Sequence, residues 1–492
     1  MLQISTAFDG GNIKVLDQSD PGKIRLEIQK DGQADFYQWF YFRVSEIGGA
    51  PLRLVIENAG GSSYPKGWSD YRAVASTDRK TWIRVDTSFD GKALTIDHAP
   101  DGDVCWYAYF APYTLEQHED LIGRASASPL AKVERLGATL DGRDLDMITF
   151  GSGPKPLWII ARQHPGESMT GWFMEGVVDR LLDPQDPIAR GIAKGATLHL
   201  VPNMNPDGVY RGHLRTNAVG TNLNREWQNP SLERSPEVFN VVRRMERTGV
   251  AMCLDVHGDE GLPYNFIAGY EGVPNVTEAH LARLNGYRDL LATLTPDFQT
   301  EHGYPKASPG TGNLTTSTGH IANTFRCAAM TLEMPFKDTA NNPMPEVGWS
   351  PERSKTLGAD CLQAICMIGS VGERAVITVW GLKNCDTCKK ARKALDAAGA
   401  DYAFKDVRAD AVGAEDIAGW LDAVGGDVLI NRRGTTWRGL SDEDKARGDG
   451  AGATGLLAEA PALIKRPVFV FEDGTVIVGF GAKEKAAVEA RL

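Results

Sequence analysis

The chain has 492 residues, too many for one ordinary hydrophobic core, so about two to four domains are expected. Its 42% hydrophobic and 24% charged residues make an ordinary globular composition. The net charge of −11, from 53 Lys and Arg against 64 Asp and Glu, excludes the basic footprint of a nucleic-acid binder or of a protein held on an anionic membrane.

The opening Met1-Leu2-Gln3-Ile4-Ser5 carries neither a basic nor an apolar signal region. No apolar run approaches the roughly 20 residues that span a bilayer. Seven Cys, with one Cys385-x-x-Cys388 pair, suit a reducing cytosol better than a disulfide framework. The cytoplasm is therefore the expected compartment.

In chain order, residues 1–115 read as strands. Short apolar or aromatic runs recur at 39–44, 52–56, 81–85, 93–96 and 104–110, separated by turn signals such as Gly48-Gly49, Gly60-Gly61 and Asp90-Gly91. This spacing predicts an antiparallel β-sandwich. The Trp39-Phe40-Tyr41-Phe42 cluster reads as core packing rather than a ligand cage.

From residue 113 the texture alternates between helix and strand. Residues 114–125 predict a polar helix, 146–150 and 157–161 strands, and 169–182 a helix stopped by Asp183-Pro184. Further strands are expected at 196–201, 250–256 and 328–332. The alternation predicts an open α/β sheet over residues 116–371, with helices on both faces. Reactive groups in such sheets gather beyond the carboxyl ends of strands, where His164, His257 and Glu333 all fall. The Pro- and Asn-rich residues 338–353 read as surface loop.

A break is expected near 369–374, then a unit over 375–492 of about thioredoxin-like size. Its strand at 376–380 leads into the Cys385 loop and a helix to 398, with strands again at 402–407 and 468–471. Residues 441–454 read as a solvated loop or frayed helix.

The chemistry starts at His164-Pro165-Gly166-Glu167, just after the apolar run Leu157-Trp158-Ile159-Ile160. A His and a Glu three positions apart on a strand-to-loop exit can converge on one cation. Adding His257, from Asp255-Val256-His257-Gly258, gives two nitrogens and a carboxylate, a set that leaves zinc an open position for water. Such a water is acidified by the metal and deprotonated by a carboxylate, and Glu333 at another strand end is the candidate base. Taken singly, each has a plainer reading: a hydrogen-bonded strand-end His, a solvated Glu. Between them lie Arg215 and Arg225, whose guanidinium forks suit a free carboxylate or a developing oxyanion, although either alone also reads as a surface arginine.

At these positions the chain resembles the zinc metallocarboxypeptidases, in particular the cytosolic carboxypeptidase branch. The matching strings are His164-Pro165-Gly166-Glu167, Pro202 to Gly208, Arg215, Asn222 to Arg225, Asp255 to Gly258 and Thr331 to Glu333, with Trp39 to Val44 like the opening strand of the family's N-terminal domain. The resemblance implies a catalytic zinc on His164, Glu167 and His257, with Glu333 as base and Arg215 polarising the scissile carbonyl. It also implies that Asn224 and Arg225 hold the terminal carboxylate of a peptide or protein substrate. Relatives in this branch remove acidic residues, which needs a cation in the pocket; Arg326 could supply it, although a surface or structural arginine is the stronger reading of that residue. Two departures stand out. Asn222 replaces an Asp that orients a zinc-ligand His in many relatives, and Tyr304 is a weak match to the mobile active-site Tyr of the digestive enzymes.

In the last unit, Cys385 falls between a strand and a helix start, beside Lys383, Lys389 and Lys390, an environment that favours a thiolate. Cys388 is placed to resolve a mixed disulfide, against the plainer reading of two unreactive thiols. The runs 377–388, 431–437 and 464–468 resemble the arsenate-reductase-like thioredoxin-fold proteins, closest to suspected glutathione-dependent thiol reductases. That resemblance implies Cys385 as nucleophile and Arg466 as an anion-binding residue, whereas residues 476–481 lack the further arginine of true arsenate reductases.

The reading is thus a zinc carboxypeptidase fused to a thiol-reductase-like module, acting on peptide or protein C-termini, without nucleic acid or membrane. Its rivals are a zinc deacylase of small N-acyl amino acids and a non-catalytic binding protein built on the thioredoxin-like unit.

Overall fold

The computed structural model describes every residue except 1, 275, 277, 372–376, 399, 401, 411, 451, 472, 473, 490 and 492. The chain divides into two compact units, Met1–Ile368 and Gly369–Leu492. The expected break near 369–374 and the expected first strand residue Val376 fall largely on 372–376, outside the described residues.

The first unit opens with two five-stranded sheets. One orders Gln3–Ser5, Tyr41–Ser45, Val104–Ala108, Val74–Ser76 and Ile83–Arg84, all antiparallel. The other orders Lys14–Asp17, Ile24–Glu27, Leu52–Ile56, Leu94–His98 and Asp86–Phe89. The expectation of antiparallel pairing throughout is corrected here, because Ile24–Glu27 runs parallel to Leu52–Ile56. Between those two strands the chain crosses through Tyr41–Ser45 of the first sheet, and a crossover is what a parallel pair requires. Trp39, Phe40, Tyr41 and Phe42 are all buried, as core packing predicts.

The helix Leu115–Ala127 begins at a capping box, in which Thr114 accepts from the Gln117 amide while the Gln117 side chain returns to the Thr114 amide. A seven-stranded mixed sheet follows, ordered Ala131–Ala138, Asp144–Phe150, Ala196–Val201, Lys155–Ala161, Met252–Asp259, Ala328–Pro335 and Phe266–Ala268. The middle four strands are parallel. They read as near-continuous apolar runs because both faces are covered, and Ile159, Ile160, Leu254 and Leu332 are fully buried. The edge strand Ala131–Ala138, with its Lys132 and Glu134, lacks that signal and escaped the sequence reading. So did the three-residue Phe266–Ala268.

The helix Pro236–Thr248 carries Glu237 in its first turn, fully buried. Burial, with the Asp207 carboxylate nearby, pushes its carboxyl up to about 8. An acid whose folded-state value is raised lends stability that is intact below the unfolded value near 4.5, declines as pH rises, and is gone beyond about 8. Glu237→Gln is therefore expected to match the wild type at pH 4.5 and to exceed it by several kcal/mol at pH 8.5. Thermal or urea unfolding across that range checks this, and a pH-independent difference would refute it.

The second unit holds a four-stranded sheet ordered Tyr402–Asp406, Ile377–Gly381, Val468–Val470 and Val476–Val478. Its first pair is parallel and the others antiparallel. In the stretch read as a solvated loop or frayed helix, Ser441 caps the helix Asp442–Arg447, and Ala453–Glu459 follows. Among the described residues, no helix is long and apolar enough to cross a membrane.

Candidate active site

Three strand ends build the site. His257 and Glu333 are direct partners on the adjacent parallel strands Met252–Asp259 and Ala328–Pro335. His164 follows Lys155–Ala161 on the other side of the His257 strand. Between strand and His lies Arg162 in the left-handed region (φ 64°), fully enclosed, its guanidinium donating to the carbonyls of Pro165 (2.6 Å) and Tyr113 (3.2 Å). That turn aims His164 back across the sheet edge.

His164, Glu167 and His257 are all buried, and their donor atoms lie within 4.8 Å of one another. The Nδ1 atoms of His164 and His257 stand 2.6 and 2.9 Å from the two Glu167 oxygens, and 3.2 Å from each other. Each ring is held from behind at Nε2, His164 by Asn222 Oδ1 (3.1 Å) and His257 by Asp255 Oδ2 (2.9 Å). Backing of this kind fixes the tautomer and leaves Nδ1 for a cation. Asp255 is itself held by donors from Gln163 Nε2 (2.6 Å) and Ser317 Oγ, and Gln163 in turn accepts from Trp227 Nε1 (2.8 Å). Two imidazole nitrogens and one carboxylate converging in a buried pocket fit zinc.

The neutral Asn222 orients His164 through its side-chain carbonyl. Asn222→Ala is expected to lower zinc affinity about 10–100-fold. Titration against a chelating indicator checks this, and unchanged affinity would show the contact to be idle.

Electrostatics separates the titrating groups. His164 is pushed down to about 4 by burial and by Arg215. Burial opposes charge on Glu167, but the two imidazoles win and hold it well below the ordinary carboxylate range. Burial also opposes charge on His257, and Asp255 and Glu167 outweigh it, so its ring is raised well above normal. Glu333 is raised by burial and by Glu167, Asp259 and Glu260, against the pull of His257. Glu260 is pushed up to about 8 by burial and by Glu167.

These groups open into a cavity of about 670 Å³, lined also by Arg215, Asn224, Arg225 and Tyr304 and by Tyr64 and Lys66 of the strand-rich region. Asn224 accepts the Ser317 amide at Oδ1 (2.9 Å), which turns its NH₂ donors free of that contact. Arg225 is lowered by burial and by the Arg215 charge, so the two guanidiniums that line this cavity favour an anion between them. Tyr304 donates to Asp259 Oδ2 (2.6 Å) and lies 3.4 Å from Glu333 Oε1. Its place beside Glu333 was only faintly visible in sequence, and no part was assigned there to the Asp255, Gln163 and Asp259 side chains. Arg326 follows its stronger reading as a surface arginine, and the alternative role as pocket cation is corrected. It is exposed, caps the helix Ser317–Phe325, and sits at the start of the Glu333 strand, outside the lining.

Residues 4–110 match the cytosolic carboxypeptidase N-terminal domain, 123–346 match zinc carboxypeptidase, and 380–488 match the ArsC family. A metallo-carboxypeptidase from Burkholderia cenocepacia superposes with a TM-score of 0.74 at 46% identity, covering 75% of this chain and all of that one. The chain belongs to the zinc carboxypeptidase family. A metallo-carboxypeptidase from Pseudomonas aeruginosa, solved in complex with (2-guanidinoethylmercapto)succinic acid, has a TM-score of 0.73 at 43% identity over 75% of this chain and 99% of that one. Human cytosolic carboxypeptidase 1 is 26% identical over 61% of this chain, which spans 29% of that protein's length.

In the second unit, Cys385 caps the helix Asp386–Ala397, and Cys388, one turn on, is buried. Burial opposes the Cys385 thiolate, but the amides of Cys388 and Thr387, the Cys388 thiol and the Arg466 charge together lower its thiol. Burial pushes Cys388 up to about 11.

Proposed function

We propose that this carboxypeptidase removes single C-terminal residues from peptides or proteins, with one zinc ion on His164, Glu167 and His257. The observation that carries the reading is the meeting of those three side chains in a cavity lined also by Glu333, Arg215 and Arg225. When bound, zinc supplies a Lewis acid that polarises the scissile carbonyl and activates water.

The chain's own residues do the rest. Arg225 and the Asn224 amide grip the free carboxylate, so only a terminal residue seats with its peptide bond over the metal site. Arg215 faces the carbonyl oxygen and stabilises the charge that develops there. Glu333 Oε2, buried and without a hydrogen-bond partner, takes the proton of the attacking water and passes it to the leaving amine. The Pseudomonas relative's ligand, a substituted succinic acid with two carboxyl groups, supports a site built for carboxylates.

On the same face of the strand as Glu333, two residues deeper, Thr331 bonds Thr318 (2.7 Å between hydroxyls). Gly312 and Gly319 line the cavity beside them. This neutral floor accepts polar terminal side chains without selecting acidic ones, and Lys66 is the one remaining lysine or arginine among the described lining residues.

The test is zinc analysis followed by digestion of peptides that differ only in a free or amidated C-terminus, with terminal Gln or Glu. Cleavage confined to free termini, at similar rates for Gln and Glu, is expected. Equal cleavage of amidated peptides would sink the exopeptidase reading, and activity on N-acyl amino acids alone would favour the deacylase.

For the rest of the chain, the two N-terminal sheets share one core, Phe42 and Val44 with Leu54 and Ile96, which supports a β-sandwich over 1–115 ahead of a catalytic domain at 116–371. The sheet, the Cys385 helix and the ArsC match support a thioredoxin-like domain over 375–492, with Cys385 as its nucleophile. Iodoacetamide at pH 7 should label Cys385 well before Cys388, and thiol titration with and without glutathione tests the reductant. Seven cysteines, none of them in a disulfide among the described residues, support a cytoplasmic site of action.

A further inference from the structure

The cavity wall that carries Arg215 is held by the strand-rich N-terminal region. Asp31, buried in the loop after Ile24–Glu27, reaches 183 to 185 residues along the chain to the segment around Arg215. Its Oδ1 accepts the Leu214 amide (2.6 Å), and its Oδ2 accepts the amides of Arg215 (2.8 Å) and Thr216 (2.8 Å) and the Thr216 hydroxyl (3.0 Å). Three successive N–H groups cupped around one anion form a nest, a concavity that ordinarily binds a free anion. Here a carboxylate of the same chain fills it.

The grip extends on both sides. The Gly32 amide donates to His213 Nε2 (2.9 Å), and the Leu214 carbonyl accepts from Gly166, inside the His164–Glu167 turn (2.9 Å). The Arg215 guanidinium then lies over two aromatic faces of the same N-terminal region, Phe36 at 5.7 Å and Tyr64 at 5.6 Å. Stacking fixes the direction of a guanidinium whose backbone is already fixed.

We infer that the N-terminal region is a working part of the active site, and that Asp31, with Phe36 and Tyr64 beneath the guanidinium, is the positioning device that aims Arg215 at the scissile carbonyl. The inference rests on the carboxypeptidase reading for what Arg215 does, but not for where it is held. A guanidinium that stabilises the transition state must be aimed before the reaction, since misplacement by about 1 Å can cost on the order of 100-fold.

The test uses the full-length zinc-loaded protein and the variants Asp31→Asn, Phe36→Leu and Arg215→Ala, singly and combined. Asp31→Asn keeps the shape and one acceptor, and Phe36→Leu keeps the apolar volume and removes the ring. Each is expected to lower kcat roughly 10-fold with little change in KM, and to add nothing in the Arg215→Ala background, because residues acting through one another are not additive. Zinc content and melting temperature, measured alongside, exclude unfolding as the cause. A readout independent of activity is phenylglyoxal labelling mapped by mass spectrometry. Arg215 should react several-fold faster in Asp31→Asn than in the wild type, with the exposed Arg326 as an unchanged internal standard. Unchanged Arg215 labelling in both folded variants, or full additivity with Arg215→Ala, overturns the inference. A wild type that cleaves no C-terminal peptide overturns the peptidase reading instead, and the labelling comparison still decides the clamp.

Discussion

Glu333→Gln is expected to lower kcat about 10²–10⁴-fold with zinc still bound at one ion per chain. The amide keeps the shape of the carboxyl and the 3.4 Å approach of Tyr304, but cannot take a proton. Nor should the fold suffer. Burial and the charges of Glu167, Asp259 and Glu260 already raise the Glu333 carboxyl well above its ordinary range, so the neutral isostere suits the site at least as well. Loss of activity at unchanged melting temperature and zinc content would thus isolate the proton-transfer role. Full metal-dependent peptidase activity in the variant would move that role elsewhere. Glu260, pushed up to about 8, and Asp259, bonded to Tyr304, are the groups at hand.

Much of this site was legible because its parts sit in local strings that the sheet then brings together. His164 and Glu167 share one turn, and the buried runs before His164, His257 and Glu333 mark three strand ends. Parallel pairing in register does the rest, setting His257 opposite Glu333. What stayed hidden was long-range and polar. Asp31 meets Arg215 across 184 residues, and Tyr304 meets Asp259 across 45, and no periodicity records either contact. Arg326 failed for the opposite reason. It is close to Glu333 in sequence, but a strand rises about 3.3 Å per residue, and Arg326 precedes the start of the strand that carries Glu333 near its far end. The parallel pair in the N-terminal region was missed because Ile24–Glu27 is short and flanked by polar residues, so the crossover left no trace in spacing.

Glu167→Gln is expected to purify without stoichiometric zinc and without peptidase activity, and chelation of the wild type to abolish activity until zinc is restored. Glu167 is buried with both oxygens taken by imidazole nitrogens, and no other carboxylate among the described residues completes a metal-binding group with His164 and His257. An amide there keeps a carbonyl oxygen but carries no charge to neutralise a divalent ion, so the cation is held too weakly to stay with the protein through purification. Zinc bound only by the native state should raise stability by about 4 kcal/mol at a free concentration roughly 1,000 times its Kd. The melting temperature of the wild type should therefore rise with added zinc, and that of Glu167→Gln should not. The pH dependence has a definite sign. Burial opposes charge on His257, yet Asp255 and Glu167 hold the metal-free ring protonated well above its usual range. Binding must displace that proton, so affinity should rise about tenfold per pH unit while the ring remains protonated. Calorimetric titration in two buffers of different ionisation enthalpy counts the protons released. Zinc uptake without proton release at neutral pH, or activity that survives exhaustive chelation, would break the link between this buried triad and catalysis.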